Sequence, residues 1–223
     1  MLGFSRSLWF QTVPTHQTID ANGLFGGTNA QNIRRCPLHL VVLTRYIRLA
    51  MQAILKHYNI GAVWHFTDRS NLALIRAHQG LLSLAESRRR GVNVPVPGGN
   101  DWSHEADEIK GVHKYVHLAF LNDHPMLFVA KNEARITDPV WLRIDASILL
   151  EEGTRFTNDV SNKSGVEILT PDAAREMIDF EVLFTRTDWR DPEIKARRMA
   201  AIKSEILIPT IVPINKILNL KNG

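Results

Sequence analysis

The sequence predicts an α+β fold. Short apolar strands and helical stretches interleave along the chain without a regular β-α alternation, and no internal repeat is visible. With 223 residues, 44% of them hydrophobic, the chain suits one domain with a sizeable core.

The elements follow in order. Residues 1 to about 31 are rich in Gly, Asn, Thr and Gln, as in Asn22-Gly23 and Gly26-Gly27-Thr28-Asn29, and carry little periodicity. Residues 1–50 therefore read as a variable or disordered N-terminal extension, with Met51 as an alternative start, and residues 51–223 as the folded domain. Met51 to Tyr58 predicts a short helix, with Gly61 beyond its end. Val63 to Phe66 predicts a strand. Ser70 is placed to cap a helix with Leu72, Ile75 and Ala77 on its inner face and Gly80 as its stop. Val92 to Asn100 has the Pro and Gly content of a loop. Tyr115 to Phe120 and Val140 to Ile144 predict strands. Thr170-Pro171 and Asp191-Pro192 each predict a capped helix start, the second helix running to about Lys203. Val182 to Phe184 is short and apolar. Ile206 to Ile208 is the last clear strand, and Ile211 to Leu220 closes the chain.

Composition narrows the function classes. Lys and Arg total 27 against 23 Asp and Glu, a formal charge of +4, and the pI is about 9.4. This mild excess permits a polyanionic partner without demanding one. Cys36 is the only cysteine, so an internal disulfide is excluded, a cysteine-based zinc site is not expected, and a reducing cytosol fits best. The apolar run Leu38 to Leu43 is too short to span a bilayer, and no signal-peptide pattern opens the chain, so it reads as cytoplasmic with no membrane partner. There is neither a Walker motif nor a G-x-G-x-x-G loop. His104, His113, His117 and His124 lack metal-motif spacing, so no metal site is expected.

Several residues could carry chemistry. His65 and Thr67 lie two apart on a strand and share a face, where an imidazole and a hydroxyl suit the ribose and amide of a nucleotide. The competing reading is a His satisfied by backbone. Glu205 lies where an aliphatic strand begins behind a charged helix, where a solvated Glu is the commoner case. Arg88-Arg89-Arg90 precedes Val94-Pro95. A solvated loop is the ordinary reading, though an Arg fork also suits a pyrophosphate. Met126 follows His124-Pro125 and reads equally as a core residue. Trp189 lies between Arg186 and Arg190. It could pack a helix start or stack on a splayed base, with the arginines, Lys195, Arg197 and Arg198 tracking phosphates.

Taken together, Trp64-His65-Phe66-Thr67 with Asn71, the basic run before Val94-Pro95, His124-Pro125-Met126 and Lys203-Ser204-Glu205-Ile206-Leu207-Ile208 resemble the DarT family of DNA ADP-ribosyltransferase toxins, over about residues 59–220. The resemblance implies an ADP-ribosyltransferase fold with a split mixed β-sheet core and flanking helices. It implies NAD as the ADP-ribose donor, bound by His65, Thr67, Asn71 and Met126, and catalysis by Glu205 with Arg89. It implies single-stranded DNA as target, contacted by Trp189, Arg190 and Arg186, and a toxin–antitoxin system with a macrodomain-type antitoxin. Residues 100–111 form an insert relative to the thymine-modifying branch, and with His-Pro-Met they look closer to the guanine-modifying branch. Two alternatives stay open: a transferase acting on RNA or protein, and a non-catalytic nucleic-acid-binding module on a decayed transferase fold.

Overall fold

A computed structural model describes residues 48–223. The expected extension lies outside the described residues as far as residue 47, and residues 48–50 are helical. Helix α1 covers residues 48–57 and buries Met51 and Ile54. Strand β1 (Ala62–Asp68) follows, then α2 (Leu72–Ala77), β2 (Gly80–Leu82), α3 (Leu84–Arg89), α4 (Asp101–Lys110), β3 (Tyr115–Ala119) and α5 (Pro125–Asn132). The chain continues through β4 (Pro139–Asp145), β5 (Arg155–Thr157), α6 (Pro171–Met177), α7 (Phe180–Phe184) and α8 (Pro192–Ala201). It closes with β6 (Glu205–Pro209), β7 (Ile211–Pro213) and β8 (Ile217–Asn222).

Six strands form one sheet in the order β5-β6-β3-β1-β4-β8, and β2 pairs with β7 separately. The fold is α+β as the sequence predicts. The sheet is antiparallel in every described pair rather than mixed. Its split lies between β1 and β3, which share one registered pair, Trp64 with Ala119, while β1 pairs with β4 along its full length. One face carries the main core. Val116 and Leu118 of β3 meet Ile208 and Ile206 of β6 across the ladder, and all four are buried with Met51, Phe180, Val182 and Ala201 from the helices. Alternation then sends His117 and Ala119 to the opposite face. A smaller apolar cluster sits there, made by Ala119, Leu127 and Trp141 with Trp64 and Phe66 packed against it. Phe66 meets Trp141 edge-on at 5.5 Å between ring centroids.

Local chemistry explains the differences from the sequence reading. Asp68 rather than Ser70 opens the helical segment after β1, because its Oδ1 accepts from Ser70 N at 3.0 Å and from Ser70 Oγ at 2.7 Å. Its Oδ2 accepts from Thr137 N and Asp138 N at 3.1 and 3.0 Å, tying β1 to the turn before β4. Gly80 starts β2 rather than merely ending α2. A Cβ there would lie 2.4 Å from the Val212 carbonyl oxygen, so only glycine permits the β2–β7 approach. Four helices form that the sequence reading does not predict: α3, which takes in Arg88 and Arg89 of the basic run, α4, α5 and α7. In α4 the Asn100 side chain caps the first turn and Gly111, with φ at +75°, ends the helix. In α5 His124 is the cap and Pro125 the first residue, the same cap-then-proline start as in α6 and α8.

Candidate active site

The split in the sheet builds the site. Register places Trp64, Ala119, Glu205 and Thr157 in one row across β1, β3, β6 and β5, which sets β1 and β6, far apart in sequence, on either side of β3. A cleft of about 650 Å³ opens over this row, of a size suited to a dinucleotide or similar ligand. Its lining includes His65, Thr67, Asn71, Met126 and Glu205 among the residues singled out in the sequence.

Glu205 is 7% exposed. It shares a face with His117, two residues before its cross-strand partner Ala119. The His117 Nδ1 donates to Glu205 Oε2 at 3.1 Å, and Ser161 N donates to the same oxygen at 3.3 Å. His117 Nε2 faces the Val112 carbonyl oxygen at 3.3 Å. The carboxylate and the carbonyl both accept, which favours the doubly protonated ring, and the Ser161 hydroxyl lies 3.1 Å from the same Nδ1. Burial opposes charge on each partner, but the hydrogen bond and attraction between them prevail. They raise the pKa of His117 and hold that of Glu205 below the usual carboxylate range. The Glu205 carboxylate is therefore ionised, buried and fixed in orientation.

His65 closes the gap where the β1–β3 ladder opens. Its Nδ1 donates to the His117 carbonyl oxygen at 2.8 Å. Burial lowers its pKa to about 4, so the ring is neutral and its Nε2 is an acceptor. Thr67 is buried, and its Oγ1 accepts from Asn71 Nδ2 at 3.0 Å. Asn71 also donates to the Val96 carbonyl oxygen at 2.7 Å and accepts from Val96 N at 3.2 Å. Its amide thus braces the 92–100 loop against β1, and it lines the cleft mainly as a positioning residue. Met126 lines the cleft from the first turn of α5, partly buried.

The arginine expectation changes. Arg89 does not line the cleft; its guanidinium makes two 2.7 Å bonds to Glu86, three residues back along α3, and its side chain is 70% exposed. Arg88, the preceding residue, lies on the cleft side and pairs with Glu108 of α4. Helical rotation of about 100° per residue separates the two directions. Trp189, Arg186 and Arg190 are exposed and lie outside the cleft lining. Trp189 is 69% exposed, so it does not pack the start of α8. Two of the expected phosphate contacts are engaged elsewhere: Arg197 pairs with Asp179 and Glu181, and Arg198 with Asp123.

Sequence reasoning missed His117, His124 and Ser161 as parts of one site: it weighs His117 only as a metal ligand and gives His124 no role beyond the His-Pro-Met motif. The usable signal was strand alternation, which puts His117 on the face of Ala119. It also missed Trp102 and Asp107, which the inserted helix α4 brings into the cleft lining. Trp102 is 71% exposed. Among the described residues, no group of three or more His, Cys, Asp or Glu side chains could hold a metal ion, and no helix is long and apolar enough to cross a membrane.

A family model described as "ssDNA thymidine ADP-ribosyltransferase, DarT" matches residues 64–220. No curated protein matches the chain. Among solved structures, the chain is similar to Thermus sp. 2.9 DarT in complex with ADP-ribosylated ssDNA, at 18% identity over 73% of this chain and 81% of that one, with a TM-score of 0.55. It is also similar to Thermosipho africanus DarTG in complex with ADP-ribose, at 16% identity over 72% of this chain and 43% of that one, with a TM-score of 0.53. At these identities the likeness is one of fold.

Proposed function

The chain belongs to the DarT family, and from that premise we propose how its residues divide the work of an NAD-dependent ADP-ribosyltransferase acting on a base in single-stranded DNA. The observation that carries the reading is the Glu205 carboxylate, buried at the cleft and kept ionised by His117. Nicotinamide leaves NAD as the bond from its nitrogen to the ribose carbon breaks, and positive charge grows on that ribose. A fixed carboxylate in a site with little water stabilises this charge strongly. A base nitrogen then bonds to the same carbon and gives up its proton, for which Glu205 is the base at hand.

The other residues bind and orient. The donor substrate lies along β1, with the acceptor nitrogen of His65 and the hydroxyl of Thr67 facing it, while Asn71 keeps the 92–100 loop in place. Met126 packs beside the nicotinamide. Arg88 replaces Arg89 as the guanidinium directed at the pyrophosphate. Exposed Trp189, with Arg186 and Arg190, receives the DNA strand outside the cleft. In the cell this reading makes the protein a cytoplasmic toxin restrained by a macrodomain-type antitoxin. A decayed, non-catalytic fold would have no reason to keep a carboxylate buried and charged.

The test is incubation with NAD and four oligonucleotides, each lacking one base, followed by mass spectrometry. One oligonucleotide should escape modification while the other three gain ADP-ribose. Release of nicotinamide with no mass gain on any strand would point to a protein or RNA target instead.

A further inference from the structure

One buried donor at the cleft has no partner. His124 is 4% exposed and lines the cleft. Its Nδ1 accepts from Met126 N at 3.3 Å as the cap of α5. A nitrogen that accepts carries no hydrogen, so the ring's N–H is at Nε2. That N–H is buried and makes no hydrogen bond. It lies 4.0 Å from Glu205 Oε1, while the other oxygen, Oε2, is taken by His117 and Ser161. A buried unpaired donor is costly, and such groups persist where a function needs them.

We propose that His124 Nε2–H is a substrate-binding donor that works as a pair with Glu205 Oε1 to hold one hydroxyl of the NAD ribose whose carbon reacts. The pair offers one donor and one acceptor 4.0 Å apart. A hydroxyl oxygen about 2.8 Å from each would accept from His124 and donate to Glu205. A base edge would need two adjacent atoms at this buried spot, whereas a hydroxyl needs one. The contact orients the ribose over the carboxylate. The cap on α5 fixes the tautomer, so the fold itself selects which nitrogen faces the substrate.

The inference rests on the reading of NAD as substrate, and two substitutions separate it from a purely structural role. His124→Asn keeps an acceptor at the position of Nδ1 and so keeps the helix cap, but has nothing at Nε2. His124→Gln places an amide N–H near Nε2 and loses the cap. We expect His124→Asn to weaken NAD binding by about tenfold with an unchanged melting temperature, and His124→Gln to bind NAD nearly as the parent does while melting earlier. An NAD analogue lacking the 2′ hydroxyl of that ribose should bind the parent about tenfold more weakly than NAD, and the penalty should shrink in the Asn variant, where Glu205 alone still holds that hydroxyl. NAD affinity that follows thermal stability through both variants, or an analogue penalty that persists undiminished in His124→Asn, would overturn the assignment. Failure of the parent to bind NAD would instead remove the functional reading on which it stands.

Discussion

The smallest scale at which the site can be tested is the side chain. His65 is neutral because burial lowers its pKa to about 4 from 6.5. A group with a depressed pKa stabilises the fold fully above its unfolded value and loses that contribution as pH falls through the folded one. Stability should therefore decline as pH drops from 6.5 toward 4. His65→Asn keeps a donor for the His117 carbonyl but does not titrate, so its urea-unfolding stability should fall less over that interval. An equal fall in both proteins would show that His65 is not buried as the neutral ring. Arg88 and Arg89 give a second comparison. Arg88→Ala should weaken NAD binding about tenfold by removing a charge-assisted contact, and Arg89→Ala far less, because Arg89 bonds Glu86 outside the cleft. Titration calorimetry with the reverse order would restore Arg89 to the site. The sequence carried His65, Thr67 and Glu205 as candidates, since a His-x-Thr strand and a Glu before an aliphatic run are local patterns. It did not carry the choice among Arg88, Arg89 and Arg90, which depends on where α3 begins and hence on the phase of its rotation.

At the scale of elements, caps and register do the positioning. Asp68 holds four hydrogen bonds that join the end of β1 to the turn before β4. The bond from Asp138 N, followed by those from Ser70 and Thr137, lowers its pKa to about 2 from 3.8. Its contribution is complete above 3.8 and disappears as pH falls through about 2. Asp68→Ala removes four part-buried hydrogen bonds and should cost about 1–3 kcal/mol at neutral pH. A loss below about 0.5 kcal/mol in denaturant unfolding would mean that the turn finds other partners. Strands with apolar alternation and helices with a Thr-Pro or Asp-Pro start were legible in the sequence because their signals are local. Helix α4 was not, since it has no buried residue and hence no apolar stripe, only an Asn cap and a Gly end. The pairing of His117 with Glu205 was also hidden. They are 88 residues apart, and only the β3–β6 register joins them.

The whole molecule packs both faces of its sheet and opens the cleft at the split between β1 and β3, where residues of both strands line it with Glu205. Its net charge of +4 is modest, so the location of the basic groups matters more than their number. If Arg186 and Arg190 beside Trp189 receive the strand, affinity for single-stranded DNA should fall steeply with salt, since each neutralised phosphate releases counterion. The double variant Arg186→Ala with Arg190→Ala should reduce the slope of that dependence by about 1.4. An unchanged slope would place the DNA on another surface.

The row from Trp64 to Glu205 is what the fold assembles, and its end is one carboxylate. Glu205→Gln keeps the shape and hydrogen-bonding reach of the side chain while removing its charge. The most direct measurement is the single-turnover rate of ADP-ribose transfer from NAD to a single-stranded oligonucleotide, with NAD affinity measured on the same samples. NAD should still bind, and transfer should slow by about 10² to 10³-fold, as expected for loss of one preorganised electrostatic contact. A Glu205→Gln protein that modifies DNA at a rate near the parent's would contradict the account.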